Sequence, residues 1–400
     1  MGPPTAAPDM EPDFSNLDDY LAGEGVDGYL IDDDAENADQ KYLSGFDAPD
    51  PFVTLYTPEE TAMLVSGLEY GRATKESRAD AVDRYGDYEF RQKIEEHGSG
   101  TAKAMVLAEF CAEHGVESVA VPSRFPVSSA DGLRDHDVEV TPETDGVVTE
   151  IRATKTDEEI EHVHEAQNAN KEAMAAAEAL IEDATVEDGV LNHGGEPVTA
   201  ERVKEEIELT LLRNGCALDE TIVACGEHGA DPHDRGSGPL EADELIVIDI
   251  FPKNKETGYH GDMTRTFLKG EPTEEQRRRY QITERAVEAA FDAIEPGATG
   301  ADVHDAVCDV YEEEGYATLR SDEQAETGFI HSTGHGVGLD VHELPRVSPE
   351  GDELEPGHVI TIEPGLYDPE VGGVRIEDLV VVTEDGFENL TDYPKELVLD

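Results

Sequence analysis

Apolar positions along the chain follow two rhythms. In the first third, short apolar runs of strand length stand at Gly28-Tyr-Leu-Ile31, Phe52-Val-Thr-Leu-Tyr56, Met63-Leu-Val65, Val119-Ala-Val121 and Val138-Glu-Val140. Between them, helical patterns cover 16–24 and 100–114, the second stopped by Gly115. Strands alternating with helices predict an α/β domain with a mixed sheet. It carries no nucleotide fingerprint and no constellation of reactive side chains. Residues 1–15, polar, acidic and rich in proline, predict a loose leader without a basic-then-apolar signal pattern.

A boundary is expected near 145–152, and the pattern then lengthens. Thr156-Asp-Glu-Glu159 is a capping box that opens a long helix, with Ile160, Val163, Ala166, Ala173, Ala177 and Leu180 on one face. Thr199 caps a second helix that ends at Gly215, and 221–225 reads as a strand. The run 245–251 is apolar on both faces, so it predicts a buried strand. Asp249 lies in its middle, where a lone carboxylate costs several kcal/mol unless it is paired or metal-bound. The next strand, 259–268, carries Asp262. A loop over 252–258 centred near Lys255 and Glu256 would set Asp249 and Asp262 directly opposite.

The same device recurs. Thr273-Glu-Glu-Gln276 opens a helix that ends before Pro296-Gly297, and 301–314 predicts another, stopped at Gly315. A strand over 358–363 ends in Glu363. Its return strand, 374–383, contains Glu377, and the two carboxylates are symmetric about Glu370. Helices followed by a hairpin that joins two carboxylates therefore appear twice, which predicts similar halves over 150–270 and 273–400.

Composition changes this picture in three ways. A chain of 400 residues is long for one core, so two domains are expected, 1–150 and 151–400. Asp and Glu number 94 against 29 Lys and Arg, for a formal net charge of −65 spread through every segment. Such a surface repels itself until salt screens it, and the Debye length falls to roughly 3 Å near 1 M. A halophile's salt-loaded cytoplasm is the expected setting. No basic stripe exists for nucleic acid, no apolar run is long enough to span a membrane, and the four cysteines show neither metal-ligand nor disulfide-framework spacing.

The candidate chemistry gathers around Phe329 to Glu343, where His331, His335 and His342 interleave with Gly334, Gly336 and Gly338. Asp249, Asp262, Glu363 and Glu377 with His335 make a five-ligand set, and two divalent cations would balance the four carboxylates. Oxygen-rich ligands with one imidazole suit Mn²⁺, Co²⁺ or Zn²⁺. Two such ions can bridge and deprotonate a water near neutral pH, so the expected reaction is metal-assisted hydrolysis of an amide or ester. Arg375, two residues from Glu377, shares that residue's strand face and is expected to orient a ligand carboxylate.

Together, Asp249, Gly258-Tyr-His-Gly-Asp-Met-Thr-Arg-Thr266, His331-Ser-Thr-Gly-His-Gly-Val-Gly-Leu-Asp-Val-His-Glu343, Ile362-Glu-Pro-Gly-Leu-Tyr367 and Val374-Arg-Ile-Glu-Asp378 resemble the pita-bread metallopeptidases. Within them the chain is most similar to the Xaa-Pro peptidases, aminopeptidase P and prolidase. Gly28-Tyr-Leu-Ile31 with Tyr42-Leu-Ser-Gly45, and Ile151-Arg-Ala-Thr-Lys155, resemble the creatinase/prolidase-type N-terminal domain and its junction.

The resemblance implies an N-terminal α/β domain followed by a pita-bread catalytic domain with pseudo-twofold halves. It implies that Asp249, Asp262, His335, Glu363 and Glu377 hold two metal ions, with Asp262 and Glu377 bridging. Glu363 would move the proton from a metal-bridging hydroxide to the leaving nitrogen, and His233, His331 and His342 would hold substrate and tetrahedral intermediate. Manganese is the first expected ion, the partner is a peptide, the assembly a homodimer and the place the cytoplasm. The leading expectation is an aminopeptidase P, with prolidase the alternative. Methionine aminopeptidases generally lack the N-terminal domain, and creatinase-like amidinohydrolases lack the ligands. A silent binding relative typically loses ligands that are all present here. Phe251-Pro252 stands where the family commonly has glycine, and the chain has no tryptophan.

Overall fold

The computed structural model describes residues 12–218, 220–295 and 297–399. Most of the expected leader, residues 1–11, lies outside them. The chain divides into two compact units between Arg152 and Ala153. No described helix is long and apolar enough to cross a membrane.

The N-terminal unit is built on a six-stranded mixed sheet. From one edge its strands are Ala81–Arg84, Thr61–Val65, Phe52–Tyr56, Gly28–Asp33, Ser118–Pro122 and Glu139–Glu143. The two pairings among Gly28–Asp33, Phe52–Tyr56 and Thr61–Val65 are antiparallel and the rest parallel. Helix Ser99–Glu113 ends where Gly115 takes a positive φ of 72°. It buries Val106, Leu107 and Phe110 with Leu30, Val53, Leu64 and Val119 of the sheet. The mixed α/β reading of this segment holds.

The C-terminal unit repeats one plan. In its first part, helices Asp157–Glu182 and Ala200–Arg213 precede a sheet ordered Ile222–Cys225, Ile246–Ile250, Met263–Lys269, Val398–Leu399. In its second, helices Glu274–Ala293 and Gly300–Glu313 precede a sheet ordered Glu343–Val347, Gly334–Gly336, Val359–Ile362, Asp378–Thr383, Gly386–Asn389. The capping boxes at Thr156 and Thr273 close as the spacing predicts, and Thr299 makes a third. Of the six positions predicted for the apolar face of the long helix, Val163, Ala166, Ala173 and Ala177 are fully buried, while Ile160 and Leu180 stay half-buried.

The first hairpin departs from expectation in register. Asp249 stands opposite Thr264, and Asp262 lies just before its strand. The turn closes on Asn254, whose N–H donates to the Tyr259 carbonyl at 2.8 Å and whose side chain accepts from Glu256 and Thr257. Gly258, at a φ of +84°, is the last residue of the turn. A left-handed position closing the turn moves its centre toward the return strand. The resulting slip is two residues, so Asp262 keeps the face that Asp249 and Thr264 share; a slip of one would have reversed it. The second hairpin keeps the expected register, with Ile362 opposite Asp378, and one step further Glu363 faces Glu377.

Candidate metal centre

The two hairpins meet at their carboxylate ends. The Glu377 N–H donates to the Thr264 carbonyl at 3.0 Å, and the Thr264 hydroxyl donates to Glu377 Oε2 at 2.7 Å. The Arg375 N–H donates to the Thr266 hydroxyl at 3.0 Å, which itself donates to the Arg375 carbonyl at 2.9 Å. His335 comes from strand Gly334–Gly336, pressed between Glu343–Val347 and Val359–Ile362. A Cβ on Gly334 would lie 1.9 Å from the Thr361 carbonyl oxygen, and one on Gly336 2.1 Å from that of Leu344. Only glycine permits that approach on both sides of His335.

All five expected ligands converge. Asp262, His335 and Glu377 each present one ligand atom within 4.8 Å of the others. His335 Nε2 is 3.5 Å from Glu363 Oε1 and 3.8 Å from Asp262 Oδ2. The opposite ring nitrogen, Nδ1, donates to the Gly336 carbonyl at 3.0 Å, which leaves the Nε2 lone pair turned toward the carboxylates. This is the ring state that ligates a metal. One oxygen of Asp249 accepts from the Arg375 guanidinium, while Asp249 Oδ1 is buried without a hydrogen-bond partner. A buried, unpartnered carboxylate oxygen among three more carboxylates and a bare imidazole nitrogen fits a divalent cation.

Electrostatics agree. Burial pushes the carboxyls of Asp262, Glu363 and Glu377 well up, and their neighbours add to it: Glu377 acts on Asp262 and Glu363, and Asp249 acts on Glu377. Four carboxylates in one pocket cannot all ionise without a compensating charge. Burial and then the charge of His342 push His335 down to about 4, so it is neutral near pH 7.

A second chain of contacts lies beside the carboxylates. Arg375 donates from Nε to the Thr264 hydroxyl at 3.1 Å and from NH1 to the Tyr367 hydroxyl at 3.0 Å. His331 donates from Nδ1 to the Ser332 carbonyl at 2.7 Å, so its Nε2 accepts from Tyr367 at 3.0 Å. Burial, and then Arg375, push His331 down to about 3. His342 is exposed, and its ring sits 4.2 Å from that of His335 at 77°. His233 is also exposed, next to Pro232, whose carbonyl accepts from Arg375. Its charge acts on both His331 and His342. Asp249, Asp262, Glu377 and Arg375 are buried, Glu363 and His335 half-buried, and His233 and His342 form the open rim.

Sequence reasoning missed Tyr367 and Thr264. Both lie inside quoted motifs, but a hydroxyl offers no charge or periodicity to single it out. Thr264 had a usable signal, being two residues from Asp262 and therefore on its face of the strand. Arg375 orients a carboxylate as expected; the one it holds is Asp249, across the hairpins, not nearby Glu377.

Comparison with known proteins adds the following. Residues 161–384 match the model of metallopeptidase family M24, and residues 14–154 match the creatinase/prolidase N-terminal domain. The chain is 30% identical over 396 residues to the Xaa-Pro dipeptidase of Pyrococcus horikoshii, covering 97% of this chain and 99% of that one. The structure of an Xaa-Pro dipeptidase from Bacillus anthracis is similar with a TM-score of 0.80 at 27% identity, over 96% of this chain and 98% of that one. That of an X-Pro aminopeptidase from Thermotoga maritima is similar with a TM-score of 0.77 at 26% identity, over 94% and 98%.

Proposed function

This chain belongs to metallopeptidase family M24, and from that premise we propose that it is a two-metal peptidase that splits Xaa-Pro dipeptides. The observation that carries the reading is the convergence of Asp262, Glu363 and Glu377 on His335 Nε2, with a buried Asp249 Oδ1 left unpartnered. Those five residues would hold the ions. Bound there, two divalent cations supply Lewis acidity and a water acidic enough to attack near neutral pH.

The chain's own groups do the rest. Arg375 fixes Asp249, and the Thr264 hydroxyl fixes Glu377. Glu363 is the most accessible of the four carboxylates, and its pKa is raised by burial and by Glu377. It suits the group that takes a proton from the attacking water and gives it to the leaving nitrogen. His331 is neutral, with its tautomer set by the Ser332 carbonyl and Tyr367. It lines the pocket beside Tyr367, and the exposed rings of His342 and His233 on the rim are the groups placed to donate to substrate and the developing oxyanion.

Dipeptidase now stands ahead of the aminopeptidase that the sequence placed first. The full-length relative from Pyrococcus horikoshii is an Xaa-Pro dipeptidase. The aminopeptidase from Thermotoga maritima, of comparable structural similarity, keeps the second reading in play. Manganese as the ion, a homodimer, and a salt-rich cytoplasm belong to the same proposal and rest on the family resemblance and the acidic surface. The test is hydrolysis of Gly-Pro beside Arg-Pro-Pro in high KCl with Mn²⁺, with and without chelator. Chelator-sensitive cleavage of Gly-Pro is expected; cleavage of the tripeptide in its place would establish the aminopeptidase, and cleavage of neither would overturn both.

A further inference from the structure

The junction motif Ile151-Arg-Ala-Thr-Lys155 has no part in the chemistry above, yet its last residue is spent on a costly contact. Lys155 Nζ bonds to Glu343 Oε1, and both side chains are 1% exposed. Lys155 is tied at its own end as well. Its N–H donates to the Gly357 carbonyl at 3.0 Å, and Nζ donates to the Ala153 carbonyl at 3.3 Å. A buried ion pair contributes little net stability, but removing one partner leaves an uncompensated charge. Such a pair can specify an arrangement in place of adding stability.

The arrangement here is the loop 337–342. Glu343 directly follows His342 and pairs in register with Gly336, the neighbour of His335. The loop wraps around its carboxylate: the Asp340 N–H donates to Glu343 Oε2 at 3.4 Å, and a Cβ on Gly338 would lie 2.2 Å from Oε1. Val337 and Leu339 are buried and hold the near end of the loop. At the far end Asp340 and His342 are exposed, so no apolar burial fixes them. There the Glu343 carboxylate, neutralised by Lys155, sets the backbone from which the His342 ring meets His335.

We propose that Lys155 is a positioning residue: through its buried pair with Glu343 it fixes loop 337–342 and holds the His342 ring against His335. The catalytic consequence rests on the reading of His342 given above; the placement of the ring does not. The test uses the full chain as wild type, K155M and the double variant K155M/E343L. In metal-free protein at one pH, the nuclear Overhauser contact between the His335 and His342 rings is expected to be lost in K155M, with His114 signals unchanged. In the metal-loaded enzyme, kcat is expected to fall about 10- to 100-fold, the usual cost of losing a group that orients active-site ligands. K155M/E343L removes both buried charges, so it should fold at least as stably as K155M and still lack the ring contact and the rate. A ring contact that survives in K155M would overturn the proposal. So would a double variant that regains contact and rate, because the pair would then be structural only. If K155M does not fold, the double variant alone decides. If wild type cleaves no Xaa-Pro peptide, the functional reading fails while the ring contact still tests the positioning.

Discussion

Glu377 and Asp378 are neighbours on one segment, 2% and 0% exposed, and they meet opposite fates. Asp378 accepts from Arg265 at 2.7 Å, from Lys395 at 2.6 Å and from the Asn389 amide at 2.9 Å. The Arg265 guanidinium spends its other donors on the carbonyls of Thr264, Glu377, Tyr393 and Pro394. Burial pushes Asp378 up, but Arg265 and Lys395 outweigh it, and its pKa ends below the ordinary value. Glu377 faces the other way, as consecutive extended residues do. Its side chain has the Thr264 hydroxyl and three more carboxylates for company, and its pKa is raised. The chain thus pairs one buried acid completely and leaves its neighbour's group short of positive charge. Equal burial with unequal neutralisation separates a structural carboxylate from one that waits for a cation.

The largest expected effect breaks the open side of this pair of environments. Glu363→Gln removes the proposed proton carrier and should lower kcat by about 10²- to 10⁴-fold. Steady-state hydrolysis of Gly-Pro measures it. On the closed side, Arg265→Met strands Asp378 and should destabilise the chain by about 3–5 kcal/mol in urea unfolding. Adding Asp378→Leu to Arg265→Met should return much of that loss, because no buried charge is then unpaired.

The two sides also titrate in opposite senses. Asp262, Glu363 and Glu377 have raised pKa values when metal-free, so the folded chain binds more protons than the unfolded one. Stability of the metal-free protein should therefore fall as pH rises from about 4 through those raised values. Added Mn²⁺ should flatten that slope. Asp378 is depressed, so its contribution is present above about 3.9 and is lost as pH falls below that toward its lowered value. Urea midpoints against pH, with and without Mn²⁺, separate the two. The smallest effect concerns the whole surface. With a net charge of −65, the melting temperature should rise by a few degrees or more between 0.1 and 2 M KCl as screening shortens the Debye length from about 10 Å. A flat or falling profile would remove the proposed salt-rich setting.

Much of this was legible in the sequence, for identifiable reasons. Capping boxes at Thr156 and Thr273 are local, so they survive any tertiary context. Asp249 stood out because an acid inside an apolar run has no cheap explanation. The pairing of Glu363 with Glu377 was legible because their hairpin keeps one register through Gly365–Asp368 and Gly372–Arg375. The register of Asp249 and Asp262 was not, because it depended on which residue of the turn took the left-handed conformation. Tyr367, Thr264 and the Arg265–Asp378 pair were also hidden. Thr264, Arg265 and Asp378 act where two hairpins meet, and pairing across more than a hundred residues leaves no periodic trace; Tyr367 takes its role from His331, outside its own hairpin.

The claim that the unneutralised carboxylates are the metal ligands is tested most directly by titrating Mn²⁺ calorimetrically into metal-free wild type and Glu377→Gln. Two ions bound per chain in the wild type, and loss of tight binding in Glu377→Gln, is the expected result. Two ions bound with undiminished affinity after Glu377→Gln would contradict it.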